Sequence, residues 1–497
     1  MSVLGSFVII YMVISVIIGL FAARHVNNSA DYIVAGRSLP IYVTIATVFA
    51  TWFGSEAVLG IPATFIEEGM SGIVADPFGA SFCLVFVGLF FAARLYRMKL
   101  LTIGDFYQQR YSRQVEVMVS IAVCISYLGW VSAQIVALGL SINLISAELI
   151  SFEWGMVIGL IVVLVYTIFG GMWSVAIMDF IQMITILIGM LLVGWLVANR
   201  LDGGVMEVVN HASSHGKLEF WPDWNLASIL AFIGAFVTLA LGSIPQQDVF
   251  QRVMSAKNEK VAVRGTVIGG SFYLLFCFVP IFIVYGATLL DPALASEHLA
   301  EGGDPQRILP EFILNEVPIW VQVMFFGALL SAIMSTASGT LLAPSAIFAK
   351  NILRSWLNLN DHQLLITLRL TVLGFGLLVL CYAYLSASVG LSVFEMVENA
   401  YLVTLVGAFV PLVFGIYWKH ANNNGALLSI AMGVISWGAF ESWGAFEIVQ
   451  IKISSQGEEL LVPPQLTGLF MAIIGMIVGS NIKRFKNKSI EMEQPTQ

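Results

Sequence analysis

Residues 50–62 read Ala50-Thr51-Trp52-Phe53-Gly54-Ser55-Glu56-Ala57-Val58-Leu59-Gly60-Ile61-Pro62, and this run decides the architecture. It sits inside an apolar stretch, 41–66, that is long enough to cross a bilayer, for which about 20 apolar residues of helix suffice. Yet Gly-Ser, an ionisable side chain and Gly-x-Pro interrupt it, and each is a poor helix interior or costly in hydrocarbon. Irregular backbone at that depth is tolerated only where protein or a water-lined cavity satisfies it. A second run, Leu241-Gly242-Ser243-Ile244-Pro245-Gln246-Gln247-Asp248, again places Gly-Ser ahead of Pro. The two runs lie five apolar segments apart, as expected if segments two to six and seven to eleven are halves related by inversion. Gly and Pro also serve packing and kinks in ordinary membrane helices, so the runs alone leave both readings open.

The composition around these runs is that of a bilayer-spanning chain. Of 497 residues, 58% are apolar and 11% charged, with a mean hydropathy of +0.89. Soluble domains carry about 25% charged residues, a deficit too large for a buried core to explain. The apolar runs are continuous rather than alternating, which excludes a barrel of strands. Cys83, Cys124, Cys277 and Cys381 all lie inside apolar runs without CxxC spacing, so they read as packing residues. No GxxxxGK[ST] loop is present, and all six histidines fall in loops, which argues against nucleotide hydrolysis, haem ligation or a histidine proton relay.

Thirteen apolar segments can be marked: 3–23, 41–66, 73–93, 115–147, 153–170, 174–198, 226–248, 262–290, 318–348, 364–385, 391–417, 424–442 and 464–482. The first is too long for a signal-peptide core and has no basic residue before it, so it reads as a retained helix. An odd number puts the termini on opposite sides. With the N-terminus outside and the C-terminus cytoplasmic, all but four of the 23 Lys and Arg fall on the cytoplasmic side, leaving Arg200, Lys217, Arg307 and Lys452. The outer loops 199–225 and 291–317 are expected to form short surface helices, and the polar tail after Lys488 to be disordered.

The ninth segment carries Ser331-Ala332-Ile333-Met334-Ser335-Thr336-Ala337-Ser338-Gly339-Thr340. Such hydroxyls can be helix–helix glue that back-bonds to carbonyls, or they can ligate sodium. A hard cation wants several oxygens, and a single intact helix cannot supply them because its carbonyls are already bonded. An unwound helix lends carbonyls and an intact neighbour lends hydroxyls; this sequence has one of each. Glu56 lies in the broken stretch itself. Asp179, in the sixth segment, is either an attractor for a cation leaving inward or a partly wet helix-end carboxylate. Glu395 and Glu398 share a face near the outer end of the eleventh segment and read as wet entrance carboxylates.

At these residues the chain resembles the sodium/solute symporter family. The resemblance runs from about residue 5 to 440 and includes Asp31-Tyr32-Ile33-Val34-Ala35-Gly36-Arg37-Ser38-Leu39, Gly170-Gly171-Met172-Trp173-Ser174-Val175-Ala176 with Asp179, and Met334-Ser335-Thr336-Ala337-Ser338. It implies an all-α integral membrane protein with the inverted-repeat, leucine-transporter-type fold, about 13 transmembrane helices and broken helices among them. The implied division is 1–40 as an extra N-terminal helix and loop, 41–198 and 199–417 as the two repeats, and 418–497 as two C-terminal helices and a tail. It also implies a sodium ion held by carbonyls of Ala50, Phe53 and Ala332 and hydroxyls of Ser335 and Thr336. Asp179 with Ser338 matches a second sodium site or the exit route, but Gly339 stands where members with two sites can carry a hydroxyl. Within the family the high-affinity choline transporter branch is nearest, through Ala50-Thr51-Trp52 with Gly54, Trp130 with Gly139, and Gly242-Ser243-Ile244-Pro245-Gln246-Gln247 running into Phe250-Gln251-Arg252-Val253.

A quaternary ammonium cannot donate hydrogen bonds and is held by aromatic faces. Trp52 and Trp130 match two rings of such a cage; Gln246 stands at the third position, and Glu56 can balance a cationic solute. The expectation is therefore a sodium-coupled symporter of the plasma membrane, not an enzyme, importing a small organic solute such as choline by alternating access. Proline-like amino acids or sugars are the alternative solutes, and a passive channel, a pump subunit or a membrane sensor the alternative classes. Its partners are a small-molecule substrate and the lipid bilayer, with no nucleic acid, and it is a monomer or a homodimer.

Overall fold

In hydrocarbon every backbone N–H and C=O must be satisfied within the chain, which forces each apolar run into a helix. The computed structural model describes residues 3–389, 392–445, 452–455 and 458–492, and these are helical almost throughout. Nine helices are long and apolar enough to span, and two further pairs span as bent rods: Ile41–Trp52 with Glu56–Ser71 at 60°, and Leu226–Gly242 with Gln247–Ser255 at 45°. One of the nine, Phe152–Arg200, has 49 residues. At about 1.5 Å per residue it is more than twice the thickness of the hydrocarbon, so it crosses twice. The reversal is at Gly171, whose φ of 50° and ψ of −139° no other residue adopts cheaply. With that helix counted as two spans and Asn423–Ala445 added, the described residues hold the expected thirteen.

The two broken spans are tied to each other at one end. Leu39, entering the second span, donates its N–H to the carbonyl of Ser255 at 3.0 Å, and Lys257 returns a bond to Leu39 at 2.9 Å. Burial sorts the remaining helices. The ninth span has 72% of its most apolar window enclosed, whereas the first and tenth have 28% each, so the former is the axis and the latter face lipid. Ile9, Ile17, Leu275, Leu370 and Leu377 lie exposed on such outer faces, the environment a bilayer supplies. The loops 199–225 and 291–317 carry the short helices Gly204–Ser214, Pro292–Leu299 and Ile308–Glu316.

Two expectations need correction. The seventh span does not end at residue 248: the helix Gln247–Ser255 continues it, and every one of its residues is buried. Arg252, assigned from sequence to a cytoplasmic loop, is therefore 1% exposed and inside the protein. Hydropathy misplaced it because Gln-Gln-Asp and Gln-Arg look like a loop unless their partners are known. The last helix, Pro464–Met492, also runs beyond Lys488, since Glu and Met are good helix formers; residues 493–497 lie outside the described residues.

At the end where the Leu39–Lys257 bonds lie, side chains form a seal. Lys350 pairs with Asp105, and Asn351 bridges Asp105 at 3.0 Å and Glu116 at 2.7 Å. Arg113 completes it with a 2.7 Å pair to Glu116. At the other end a cavity of about 1140 Å³ opens, lined by Glu67, Glu68, Asp223, Asp304, Glu395 and Glu398 among others. Its floor reaches Gly60 and Ala137, about one helical turn beyond Glu56 and two beyond Trp130.

Candidate functional site

The site begins with a carbonyl that a broken helix leaves over. The last turn of any helix has carbonyls without backbone partners, and Ile41–Trp52 ends when Phe53 turns to φ −87°, ψ 74°. Ala50 lies in that last turn. Its carbonyl accepts from Ser335 Oγ at 3.0 Å and from Thr336 Oγ1 at 3.2 Å. Both hydroxyls come from the unbroken ninth span, Ile319–Ile347, and Ala332 precedes Thr336 by one turn on the same helix. Gly54 makes the approach possible, because a Cβ there would stand 2.6 Å from Thr336 Oγ1. Ala50, Phe53, Ala332, Ser335 and Thr336 are all fully buried. Carbonyl and hydroxyl oxygens are neutral, hard donors, and this set fits a small monovalent hard cation stripped of water.

Asp179 is not the wet helix-end carboxylate that its position near a span end allowed. It is fully buried, and its Oδ1 accepts from Ser335 Oγ at 2.6 Å. A hydroxyl has one proton, so Ser335 serves Ala50 or Asp179 at any moment. When it donates to Asp179, its lone pairs are free to face a cation. Ser338 back-bonds to the carbonyl of Ser335 at 2.9 Å.

Beside the bend lies a cluster of aromatic rings. Trp52 meets Trp130 edge-on at 5.7 Å between ring centres and stacks on Tyr401 at 6.1 Å. Trp130 also contacts Tyr401 at 5.4 Å and stacks on Tyr127 at 5.9 Å. The indole N–H groups point at carboxylates: Trp52 Nε1 donates to Asp248 at 3.0 Å and Trp130 Nε1 to Glu56 at 3.3 Å. Glu56 is held further by Gln134 Nε2 at 2.7 Å, and Gln134 Oε1 accepts the N–H of Ser55 at 2.9 Å. Tyr127 bonds Asp248, and Tyr273, edge-on to Trp52, donates to Asp76 at 2.6 Å. Gln246 is buried beside the ring cluster. It bonds Ser126 at 3.0 Å and Thr404 at 3.3 Å, one turn away from Trp130 and Tyr401 respectively.

The arrangement thus brings together Trp52, Glu56 and Trp130, with Gln246 in the adjoining layer. Sequence reasoning missed Asp76, Asp248, Tyr127, Gln134, Tyr273 and Tyr401. Tyr127 had a signal, since i to i+3 spacing puts it on the face of Trp130. Asp248 stood inside a quoted motif but was read as the end of a span. Tyr401 and Tyr273 carry no local signal, because only the packing of distant spans brings them to Trp52.

Comparison with known proteins finds relatives over most of the chain. The profile of the sodium:solute symporter family matches residues 32–433. The human high affinity choline transporter 1 is 26% identical over 453 residues, covering 86% of this chain and 75% of its own. The sodium/glucose cotransporter of Vibrio parahaemolyticus is 22% identical over 454 residues, covering 86% and 82%. The structure of a sodium-coupled sialic acid symporter, solved substrate-bound and outward-open, superposes with a TM-score of 0.80 at 19% identity, over 97% of this chain and 98% of that one.

Proposed function

The chain belongs to the sodium:solute symporter family, and from that premise we propose that it imports a small cationic solute, choline or another quaternary ammonium, with sodium held between its second and ninth spans. The observation that carries the ion site is the pair of Ser335 and Thr336 hydroxyls on the Ala50 carbonyl at the bend. Carbonyls of Phe53 and Ala332 complete the ligand set. Asp179 orients the Ser335 proton and, with Ser338, lies on the exit route.

The solute class rests on charge. Glu56, Asp76 and Asp248 are buried around the rings of Trp52, Trp130, Tyr127, Tyr273 and Tyr401, and each indole N–H already serves a carboxylate. Anionic groups with electron-rich ring faces suit a cation that donates no hydrogen bond, each face contributing about 0.5–2 kcal/mol. Gln246, with Ser126 and Thr404, provides polar contact for the hydroxyl end of such a solute.

In the cycle we infer, sodium enters from the acidic cavity, replaces the hydroxyl donors at Ala50 and fixes the bend, which parts the closed rings for the solute. The seal at Asp105, Lys350, Asn351 and Glu116 then opens, and both ligands leave on that side. The N-terminus is outside and the C-terminus cytoplasmic, in the plasma membrane, with segments 41–198 and 199–417 as the rocking halves. Sodium supplies enough driving force. About 2.3 kcal/mol per charge per 100 mV plus about 1.4 kcal/mol for a tenfold gradient supports roughly 500-fold accumulation.

Uptake of labelled choline, proline and glucose into proteoliposomes under an imposed sodium gradient tests this. Choline uptake that collapses when the gradient is dissipated supports the reading. Gradient-driven uptake of proline or glucose with none of choline contradicts the solute class.

A further inference from the structure

Two histidines stand one helical turn apart at the open end of the molecule. His211 lies on the short helix Gly204–Ser214 and His215 caps it, and the N–H of His215 still bonds the carbonyl of His211 at 3.2 Å. Residues at i and i+4 share a helix face, and here the two imidazoles stack with ring centres 4.0 Å apart and planes 22° from parallel. Each ring is tethered at Nδ1: His215 to the carbonyl of His211 at 2.8 Å, and His211 to the hydroxyl of Tyr285 at 3.0 Å. A carbonyl can only accept, so His215 Nδ1 carries the proton and its Nε2 the lone pair. A bond of this kind at one nitrogen is what orients the other as a metal ligand. Burial, and after it the neighbouring His215, holds the His211 imidazole below its ordinary pKa, in the neutral form that coordinates.

Two histidines at this spacing on one helix face are a known zinc-binding arrangement. Bonds of about 2.0–2.1 Å at a tetrahedral angle place the two nitrogens about 3.3 Å apart, so a modest turn of the exposed His215 ring converts the stack into a chelate. Among the described residues no third His, Cys or carboxylate joins the pair, and water fills the remaining positions. Glu207, one turn before His211, accepts the N–H of Gly203 at 2.8 Å and leaves its charge beside the pair. It lines an open hollow of about 600 Å³ with Asp202 and His211, through which an ion arrives from water.

The pair also sits on the outer half of the second span through two contacts. Tyr285, which holds His211, meets Phe65 of that half edge-on at 5.6 Å. Two residues beyond His215, Lys217 bonds back to the carbonyl of Ala212 at 2.9 Å; its own carbonyl takes the N–H of Met70 at 2.8 Å and its Nζ reaches the carbonyl of Glu67 at 2.7 Å. The turn that an ion would stiffen is therefore the turn that grips the bent span.

We propose that His211 and His215 form a binding site for a divalent transition-metal ion of the zinc class, and that its occupancy clamps the outer half of the second span and slows transport. Imidazole nitrogens suit such an ion, whereas the neutral oxygens around Ala50 do not. The clamp rests on the transport cycle proposed above; the metal site does not.

Titration of zinc chloride into purified protein in lipid nanodiscs, followed by calorimetry, tests the site without reference to transport. The wild type should bind one zinc ion per chain that is absent from His211→Ala/His215→Ala. His215→Ala alone, at an exposed position, should also lose it, and it serves if the double variant does not fold. Tyr285→Phe, which frees the His211 ring, should weaken binding about tenfold or more. Equal zinc binding by the wild type and by both histidine variants overturns the site. In proteoliposomes under a sodium gradient, external zinc should lower the maximal rate of choline uptake by the wild type, EDTA should restore it, and His215→Ala should be insensitive. Zinc that binds at the pair but leaves uptake unchanged overturns the clamp. A wild type that takes up no choline even without zinc overturns the proposed solute instead, and the titration still decides the metal site.

Discussion

Gly54 and Glu56 are two residues apart and do different work. Gly54 lets the broken span approach the ninth, and a Cβ would stand 2.6 Å from Thr336 Oγ1 and 2.8 Å from Gln134 Oε1. Gly54→Ala should therefore raise the sodium concentration needed for half-maximal uptake by about tenfold or more, since about 1.4 kcal/mol already gives that factor. The maximal rate at saturating sodium should fall less, and a sodium titration of uptake separates the two. Glu56 is bonded by Trp130, Gln134 and Ser55, so Glu56→Gln keeps the shape and removes the charge. A cationic solute should then bind about 10–100-fold more weakly, by the loss of a buried ionic contact of about 1.5–3 kcal/mol. A neutral solute would be nearly unaffected, and competition with a neutral isostere of choline distinguishes these outcomes.

At the scale of elements, the sequence disclosed where helices break more readily than what the breaks assemble. Gly-Ser and Pro inside the runs at 50–62 and 241–248 located both bends, and the bends measure 60° and 45°. Ser335 and Thr336 stand out as adjacent hydroxyls in an apolar helix, a pattern that helix packing also explains, and only the resemblance to the symporter family points them at sodium. Arg252 does not stand out, because helix Gln247–Ser255 is polar in composition and reads as a loop until its burial is known. Tyr273 and Tyr401 were invisible for a related reason, as an aromatic residue in an apolar span carries no mark of which span it will meet. The reversal at Gly171 was legible only as part of a motif, although its role is geometric. With φ at +50° and the carbonyl of Tyr32 placed 2.5 Å from a Cβ there, Gly171→Ala should destabilise the protein by roughly 1–3 kcal/mol. A lower thermal midpoint in detergent, with unchanged sodium affinity of the folded fraction, is the expected result.

The whole molecule is polarised between a sealed end and an open, acidic one. Glu67, Glu68, Asp304, Glu395 and Glu398 line the cavity; among the described residues no Lys or Arg lines it, and Lys217 reaches its rim through a 2.7 Å bond to the carbonyl of Glu67. A cleft lined by one sign of charge concentrates counter-ions and raises their capture rate, an effect that salt screens. Replacing Glu67, Glu68 and Glu395 together with Gln should lower uptake at limiting choline about tenfold, leave the maximal rate largely unchanged, and flatten the dependence on ionic strength. Beneath that funnel the bend of the second span meets the hydroxyls of the ninth, where Ser335 and Thr336 reach the Ala50 carbonyl at the proposed ion site. Radioactive-sodium binding to purified wild type and to Ser335→Ala/Thr336→Ala measures it most directly. Saturable binding by the wild type that is lost in the double variant is the predicted result; equal binding by the two proteins would contradict the account.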